Sequence, residues 1–339
     1  MRFASDNSSG ASPEIMAAVL RANEGFERSY GADQSMTRVT KLVRDVFEAP
    51  EAAVYLVATG TAANALSLAL LTPPWAATFA HASAHAVVDE CGAPEFYSGG
   101  SKILSVAGDG GKMTPDTLRQ ALSANAHGDV HSVQRGALTI TNLTEAGTAH
   151  TPAEVAALAA VAHSNGMTCH MDGSRLANAL AATGASPAEM TWRAGIDILS
   201  LGGTKNGCLG VEAVVMFDPT KAWEFELRRK RGGHLFSKHR FLSAQMEAYL
   251  TDGLWLKLAT QANAMGQRLA NGLRDRGASI PMTPANMMFP EWAAGHHARL
   301  EAAGAVYYSI PAPKGREACR LVTSWSTTDR DVDAFLSAF

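Results

Sequence analysis

The chain has 339 residues, of which 47% are hydrophobic and 18% are charged, and its formal net charge at pH 7 is −3. This composition is typical of a globular protein with a large core, and the length predicts one large domain with a smaller one. The slightly acidic net charge argues against nucleic acid as a partner, and the sequence has no apolar run of about 20 residues that would span a membrane. The four cysteines are far apart and the N-terminus lacks the apolar segment of a signal peptide, so we expect a cytoplasmic protein without disulfides or zinc.

Short apolar runs alternate with longer helical patterns through the middle of the chain, which predicts an α/β fold with a mainly parallel sheet. The runs interpreted as strands are residues 52–57, 137–143, 167–171, 196–201 and 211–217. The last of these follows its predecessor too closely for a helical crossover, so we expect it to be antiparallel. A helix is predicted between the second and third strands, because Thr151 can cap it, Pro152 suits its first turn and Glu154 completes a capping box.

The composition changes after about Lys221, where a basic segment at 224–240 precedes a long helical pattern from residue 241 to about 277. Short strand patterns follow in "MMFP", "AVYYSI" and "CRLVTSW", and a last helix is predicted to begin near Thr328. These elements predict a small α+β C-terminal domain at 241–339, joined to a large ligand-binding domain at 1–240.

Polar groups follow several predicted strands, at the sheet edge where open α/β folds bind their ligands. They are "TGT" at 59–61, "NLTE" at 142–145, "DGSR" at 172–175 and "GGTK" at 202–205. The first either offers N–H groups and hydroxyls to an anion or is a tight turn that needs Gly60. Asp172 either caps the next helix or accepts a ligand N–H, and Arg175 either pairs with Asp172 or binds a ligand oxygen.

Lys205 is the least expected of these residues, since an unpaired ammonium at the end of a buried strand is costly. It is either a solvated lysine in a glycine loop or an amine that bonds covalently to a ligand. One cofactor, pyridoxal 5′-phosphate (PLP), would use these groups together: a phosphate cup at 59–61, Asp172 on the pyridinium nitrogen and a Schiff base with Lys205. The flanking glycines are then expected to leave room for the flat ring and for the lysine to move away.

Two histidines, His81 and His85, are four residues apart, which suits a metal pair if the segment is helical. No third ligand or HExxH glutamate accompanies them in the sequence, so no metal is expected. Taken alone, His85 is interpreted as a surface or core imidazole.

The order of these motifs resembles that of the threonine aldolases, within the fold-type-I PLP enzymes that include β-eliminating lyases. The segments that carry the resemblance, between residues 3 and 326, are "FASDNSSGASPEIM", "SYGAD", "TGTAAN", "AHAVVDECGAPEF", "ITNLTEAGT", "CHMDGSRLANAL", "LSLGGTKNG" and "RLVTSW". The most specific of them is "HMDGSRLANA" followed by "SLGGTKNG". The resemblance implies PLP as the cofactor and a fold-type-I, PLP-dependent transferase-like large domain with a small C-terminal domain.

On the cofactor side, the resemblance implies a role for each group at the strand ends. Lys205 binds PLP covalently, and Asp172 pairs with the ring nitrogen. His85 stacks on the ring, close to the β-hydroxyl of the substrate. The residues that look like phosphate ligands are Thr59, Gly60 and Thr61.

On the substrate side, the resemblance implies that Arg320 clamps the substrate carboxylate with help from Ser5. Arg175 is similar to an arginine that contacts the phenolic oxygen of PLP or the same carboxylate. Tyr30 in "SYGAD" is a further substrate-binding candidate.

The family resemblance also implies a small-molecule amino-acid substrate and a homotetramer, built as a dimer of dimers with active sites at the dimer interface. The basic residues of the segment 228–240 would then reach the phosphate site of a neighbouring subunit. Lys238 and Arg240 are its candidates for that contact.

Two positions depart from many relatives, which have a histidine in place of Glu145 and an aromatic residue in place of Asp89. Acidic residues at both positions resemble the subgroup with broad-range threonine and phenylserine aldolases. The expected reaction is retro-aldol cleavage of L-threonine, L-allo-threonine or phenylserine to glycine and an aldehyde. The expected base for the β-hydroxyl is His85, acting directly or through a water held by Glu145 or Asp89.

The sequence leaves three alternatives open. The same scaffold supports other PLP reactions, namely β-elimination, racemisation or transamination of an amino acid. An aldolase for β-hydroxyaspartate would need an extra cation, which His234, Lys238 or His239 can supply. A non-enzymatic α/β protein that binds a phosphate ligand through "TGTAAN" is the alternative from another class.

Overall fold

The computed structural model describes residues 1–281 and 285–339. In these ranges the strands are β1 (Ala53–Val57), β2 (Ala76–His81), β3 (Lys102–Val106), β4 (Gln134–Thr141), β5 (Thr168–Gly173), β6 (Ile198–Gly202), β7 (Glu212–Met216), β8 (Met287–Met288), β9 (Glu291–Ala293), β10 (Tyr308–Ile310) and β11 (Arg316–Val322). The α-helices in the same ranges are α1 (Pro13–Ala22), α2 (Gln34–Val46), α3 (Gly60–Leu71), α4 (His85–Val88), α5 (Ala93–Ser98), α6 (Pro115–Ser123), α7 (Pro152–Ser164), α8 (Leu176–Thr183), α9 (Pro187–Met190), α10 (Ala222–Arg231), α11 (Arg240–Leu250), α12 (Leu254–Arg274), α13 (His296–Ala302) and α14 (Asp329–Ala338).

The central sheet of the described chain has the strand order β1-β7-β6-β5-β4-β2-β3. Strands β3, β2, β4, β5 and β6 pair in parallel, whereas β7 is antiparallel to both of its neighbours, β1 and β6. Every residue of β6 and β7 is buried, which is the expected burial for central strands with helices on both faces. The predictions of a mainly parallel sheet and of an antiparallel strand after Lys205 are confirmed.

Two hydrophobic cores meet along helix α12. Its first half contributes Trp255 and Ala259 to the core around the large sheet, and its second half contributes Leu269 and Leu273 to the C-terminal core. Helix α11 packs against α1 and α2 on the side of the large sheet. The division into domains at residues 240 and 241 stays a prediction. Within the described ranges, no helix combines the length and apolar character that crossing a membrane requires.

The N-terminal residues run along the small C-terminal sheet and then toward the large sheet. Phe3 donates its N–H to the carbonyl of Val306 at 2.8 Å, and the N–H of Val322 donates to the carbonyl of Phe3 at 2.8 Å. The Phe3 ring packs edge-on against Phe335 in α14, with the centroids 5.2 Å apart. This path brings the next residues, 4–6, to the carboxyl edge of the large sheet.

The helical pattern from residue 241 to 277 was predicted as one stretch, and the structure interrupts it. Helix α11 ends at Leu250, and a 3₁₀ turn at Thr251–Gly253 separates it from α12. Asp252 and Gly253 have φ angles of 51° and 68°, in the left-handed region. The sequence Thr-Asp-Gly favours such a turn, because aspartate tolerates this region and glycine adopts it freely.

The predicted capping box of α7 is present, and it gives a stability prediction. The Thr151 hydroxyl accepts from the N–H of Glu154 at 3.3 Å, and the Glu154 carboxylate accepts from the N–H of Thr151 at 2.7 Å. Replacing Thr151 with alanine is expected to lower the free energy of unfolding by about 1 kcal/mol, measured by urea denaturation. Ser164→Ala at the other end of α7 is the control, with an expected loss within about 0.5 kcal/mol. Equal losses in the two variants would argue against a stabilising cap.

Candidate active site

Lys205 lies in a 3₁₀ turn, Thr204–Asn206, directly after the carboxyl end of β6. The turn is held on both sides by buried hydrogen bonds. The amide nitrogen of Asn206 donates to the Tyr249 hydroxyl and to the Trp255 carbonyl, each at 2.8 Å. The N–H of Gly203 donates to the Glu212 carboxylate at 2.8 Å. The backbone that carries Lys205 is therefore fixed to β7, α11 and α12.

The glycines beside Lys205 have a different role from the one predicted. A Cβ on Gly202 would lie 2.3 Å from the carbonyl oxygen of Ser174, and one on Gly203 would lie 2.6 Å from the carbonyl oxygen of Val211. Both distances are too short for any side chain. These glycines allow neighbouring backbone segments to approach each other, so the prediction that they make room for a flat ring was wrong.

Asp172 is the buried carboxylate at the end of β5. Its Oδ1 accepts from the N–H and the hydroxyl of Ser174 at 3.0 and 2.6 Å, and its Oδ2 accepts from the Asn64 amide at 2.9 Å. Helix α8 begins at Leu176 with Arg175 at its N-cap, so Asp172 does not cap it. Burial works against ionisation, but the charge of Lys205 and the bonds from Ser174 outweigh it and lower the pKa of Asp172. This carboxylate is thus available, charged, to a cationic ligand group.

The charge of Lys205 affects the ionisation of several side chains around the end of β6. It lowers the pKa of Asp172 and of the buried Asp6, and it opposes protonation of His85. Burial raises the pKa of Glu212 to about 7, although hydrogen bonds from Thr204 and Gly203 and the charge of Lys205 act in the opposite direction. Lys205, Asp172, His85 and Asp6 thus form one electrostatic cluster at the carboxyl edge of the sheet.

His85 begins the short helix α4, and its Nδ1 is hydrogen-bonded to Oε1 of Glu90 at 2.9 Å. This hydrogen bond raises the pKa of His85, while burial and the charge of Lys205 act against the rise. His81 instead contacts the Ser83 hydroxyl and the Gly108 carbonyl, so the two histidines have different partners. Asp89, the predicted acidic helper, is exposed at the end of α4.

Residues 59–61 form the junction of β1 with helix α3. The Thr59 hydroxyl accepts from the N–H of Ala62 at 3.1 Å and caps the helix, whose first residues are Gly60 and Thr61. A Cβ on Gly60 would lie 3.6 Å from the Ser174 hydroxyl, an ordinary contact, and its φ is outside the left-handed region. The chain itself therefore does not require glycine at this position. A glycine at a helix N-terminus suits the close approach of an anion.

Arg175 is buried and pairs with Asp6, not with Asp172 as one interpretation of the sequence proposed. Its Nε donates to Oδ2 of Asp6 at 2.6 Å, and its Nη2 donates to Oδ1 at 2.9 Å. Asp6 also accepts from the Asn286 amide at 3.1 Å. Glu145 is half-buried and close enough to stabilise the charge of Arg175. Asp6 reaches this arginine because the N-terminal residues cross the small sheet to the edge of the large one.

The buried Asp6–Arg175 pair gives a second stability prediction. Asp6→Asn is nearly isosteric but leaves the buried guanidinium without its counter-charge, so unfolding should become easier by about 3 kcal/mol or more. The matched control is Glu247→Gln, which breaks the exposed pair of Arg38 and Glu247 and should cost about 1 kcal/mol or less. Denaturation curves of both variants test the difference. A loss for Asp6→Asn no larger than that of the control would contradict a structural ion pair.

Arg320 lies on β11, beside the N-terminal residues. Its Nη2 donates to the carbonyl of Ala4 at 3.0 Å, and its guanidinium lies 5.0 Å from the ring centroid of Tyr308. Among the described residues, Nε of Arg320 is buried and has no hydrogen-bond partner. Ser5 follows Ala4 and caps the 3₁₀ turn at Asp6–Ser8, so it lies next to this arginine. A guanidinium with a free buried N–H is suited to a carboxylate ligand.

The remaining predicted residues lie on a different part of the chain. Arg240 donates to the carbonyls of Glu24 and Gly25 at 3.3 and 3.1 Å, and Lys238 is exposed. Tyr30 is half-exposed, with the Lys230 ammonium 4.6 Å from its ring. These partners belong to the segment after α1 and to α10, and not to the turn that carries Lys205.

His239, one of the candidate cations for a β-hydroxyaspartate substrate, is not on the protein surface. Its side chain is buried, hydrogen-bonded to Ser243 and close to Asp33. His234 accepts or donates a hydrogen bond at 2.9 Å with the Tyr97 hydroxyl.

Four residues of the site were not predicted from the sequence, although all of them lie within the segments that carry the family resemblance. They are Asp6, Asn64, Glu90 and Ser174. Asn64 had a detectable signal, because it is a lone amide in the first turns of an otherwise small and apolar helix, and buried polar groups have partners. Glu90 and Asp6 had no comparable signal, since their partners are chosen by the tertiary fold.

The types of group at this edge of the sheet match those that PLP requires. A lysine amine, an ionised buried carboxylate and an imidazole lie at the carboxyl edge of one sheet, with a helix N-terminus that begins Gly-Thr nearby. These are the groups that a Schiff base, a pyridinium nitrogen, a ring face and a phosphate require. The fold and this site define the class of fold-type-I PLP enzymes.

Comparison with known proteins identifies the family. Residues 2–294 match the family described as beta-eliminating lyase. The chain is 40% identical to the low specificity L-threonine aldolase of Pseudomonas sp. (strain NCIMB 10558), over 98% of this chain and 94% of that protein. The corresponding protein of Pseudomonas aeruginosa PAO1 is also 40% identical, over 96% and 93%. The solved structure of Leishmania major threonine aldolase matches with a TM-score of 0.92 and 28% identity, over 99% and 97% of the two chains.

The chain belongs to the beta-eliminating lyase family. The predictions of a fold-type-I α/β architecture, of a lyase and of PLP dependence are thereby confirmed.

Proposed function

We propose that the protein is an aldehyde-lyase that cleaves L-threonine and related β-hydroxy-α-amino acids to glycine and an aldehyde. The observation that carries this proposal is the cluster of Lys205, Asp172 and His85. A guanidinium nitrogen of Arg320 without a hydrogen-bond partner among the described residues adds to it. The names of the Pseudomonas and Leishmania relatives support the same reaction.

The cofactor would be held at both ends of its ring. Lys205 is the amine that would bond to PLP, and Asp172 would keep the ring nitrogen protonated because its own pKa is lowered. The N-terminus of α3, with Thr59, Gly60 and Thr61, would take the phosphate. When bound, PLP supplies an electron sink for the pair of electrons released at Cα.

The substrate carboxylate has two candidate arginines. Arg320 offers the buried Nε that lacks a partner in the described part of the chain, and Ser5 lies beside it. Arg175 is already neutralised by Asp6, so its part in binding would be through its remaining N–H groups. Fixing the carboxylate aligns the Cα–Cβ bond for cleavage, and such orientation lowers the barrier by several kcal/mol.

The β-hydroxyl proton needs a base, and His85 is the candidate. In the described structure its Nδ1 is bonded to Glu90, and Nε2 takes no hydrogen bond. Glu145 and Asp89 remain proposals for holding a water between this imidazole and the hydroxyl. Glu145 is the better placed within one subunit, since it lies near Arg175, whereas Asp89 is exposed.

In the proposed homotetramer, residues of one subunit complete the active site of its neighbour. Arg240 begins α11, Lys238 lies just before that helix, and Tyr30 lies in the segment after α1. These positions suit a contribution to the site of a second chain in a homotetramer. The substrate is a small-molecule amino acid. The four cysteines form no disulfide in the structure, which is consistent with a cytoplasmic setting.

A panel of amino acids tests substrate preference. The purified enzyme is incubated with L-threonine, L-allo-threonine, phenylserine and β-hydroxyaspartate, and aldehyde release is measured for each. We expect cleavage of the first three. A clear preference for β-hydroxyaspartate would favour that alternative and implicate Lys238, since His239 is buried and His234 is bonded to Tyr97.

A further inference from the structure

A buried asparagine joins two carboxylates of the site. The Asn64 amide nitrogen donates to Oδ2 of Asp172 at 2.9 Å and to Oε1 of Glu90 at 2.8 Å. The same oxygen of Glu90 accepts from Nδ1 of His85 at 2.9 Å. Side chains from α3, α4, β5 and the loop after α4 therefore form one chain of hydrogen bonds between Asp172 and His85.

The chemistry of these groups fixes the direction of each hydrogen bond. Ionised carboxylates only accept, so the Asn64 amide must turn its nitrogen toward both of them and use both N–H groups. The His85 nitrogen that faces Glu90 must likewise carry a hydrogen. The neutral imidazole is then the tautomer with its lone pair on Nε2.

Folding stability alone does not explain this arrangement. Asn64 is 2% exposed and Glu90 is 4% exposed. In the part of the chain that the structure describes, Oδ1 of Asn64 and Oε2 of Glu90 are buried without a hydrogen-bond partner. Unpaired buried polar atoms are unfavourable, and the rest of α3 from Ala62 onward is almost entirely apolar and buried. Such a departure from an apolar interior points to a functional role.

We propose that Glu90 and Asn64 are positioning residues: Glu90 holds His85 in the tautomer whose Nε2 accepts a proton, and Asn64 keeps Glu90 ionised beside Asp172. Two carboxylates that share a buried site oppose each other's ionisation, and the two N–H groups of Asn64 stabilise both anions. The proposal rests on the proposed function in one respect only, which is that His85 receives the β-hydroxyl proton.

The electrostatic consequence follows from the groups that face His85. Glu90 and Asp172 favour its protonated form, whereas burial and the charge of Lys205 oppose it. Behind Asp172 lies His170, whose pKa burial lowers to about 4, so it stays neutral at ordinary pH. Removing the negative charge of Glu90 therefore lowers the pKa of His85.

The tautomer is tested on the unaltered protein. Histidine is labelled with ¹³C and ¹⁵N, and long-range ¹H–¹⁵N spectra are recorded with and without PLP above the pKa of His85. The signals that disappear in His85→Asn identify the residue. We expect Nδ1 to carry the hydrogen and Nε2 to be bare, and the opposite tautomer would overturn the proposal. This readout does not depend on any reaction, so it separates the positioning role from the choice of substrate.

The charge of Glu90 is tested with Glu90→Gln, which keeps an acceptor oxygen and removes the charge. The same NMR titration should show the pKa of His85 lowered by about one unit or more. In the holoenzyme, the acid limb of kcat/KM should move to lower pH by the same amount. Glu95→Gln in α5 is the matched control and should move neither. An unchanged pKa of His85 in folded Glu90→Gln protein would refute the role of Glu90.

The part of Asn64 is tested with Asn64→Leu, of similar volume. Loss of its N–H groups favours protonation of Glu90 beside Asp172, so the pKa of His85 should fall, by less than in Glu90→Gln. No fall, or a rise, would show that Asn64 does not maintain the charge of Glu90. If the unaltered enzyme does not cleave threonine although these pKa shifts of His85 occur in the variants, the proposed function is contradicted and the positioning role stands.

Discussion

Replacing Lys205 with alanine is expected to abolish the visible absorbance of the purified enzyme and to lower kcat/KM at least about 10³-fold. The side chain is the amine that would bond to PLP, and its loss removes the covalent catalyst. The absorbance spectrum and the rate of aldehyde release measure the two effects. The fold should persist, since the turn at Thr204–Asn206 is held by Asn206 and Gly203.

Lys102→Ala provides the control, because Lys102 is an exposed lysine on the edge strand β3. It should keep both the colour and the activity of the unaltered enzyme. Threonine cleavage at an undiminished rate in Lys205→Ala would show that this lysine is not the cofactor-binding residue.

Replacing Asp172 with asparagine is the second change with a large expected effect. Asparagine keeps the volume and an acceptor for Ser174, but it loses the charge that would keep the ring nitrogen protonated. Its amide nitrogen would also face the amide nitrogen of Asn64, which is a donor. We expect kcat/KM to fall about 10²- to 10³-fold, because the charge developing on the cofactor loses its stabilisation.

Steady-state kinetics at saturating PLP measure this loss, together with PLP affinity from fluorescence titration. Asp116→Asn, a change at an exposed position of α6, is the control and should be neutral. A variant of Asp172 with kcat/KM within twofold of the unaltered enzyme would remove this carboxylate from the mechanism.

The sequence was sufficient to predict which polar residues lie at the carboxyl ends of the strands. Asp172 comes immediately after an apolar run and Lys205 lies in the glycine turn that follows another, and parallel strands place their carboxyl ends at one edge of the sheet. The helix cap at Thr151 was predictable as well, because capping depends on residues within one turn.

Long-range contacts were not predictable in the same way. Asp6 meets Arg175 because the N-terminal residues cross the small sheet, and no local pattern contains that path. Glu90, and not Asp89, faces His85, and a difference of one position in an irregular loop is decided by tertiary packing. The burial of His239 reflects the same limit, since a basic segment predicts solvent exposure.

The product balance from L-threonine tests the account most directly. The purified enzyme with PLP is incubated with L-threonine, and glycine, acetaldehyde, ammonia and 2-oxobutanoate are quantified in the same sample. Retro-aldol cleavage predicts glycine and acetaldehyde in equal amounts, without ammonia. Ammonia and 2-oxobutanoate in equal amounts, without glycine, would contradict the account and assign the site to elimination.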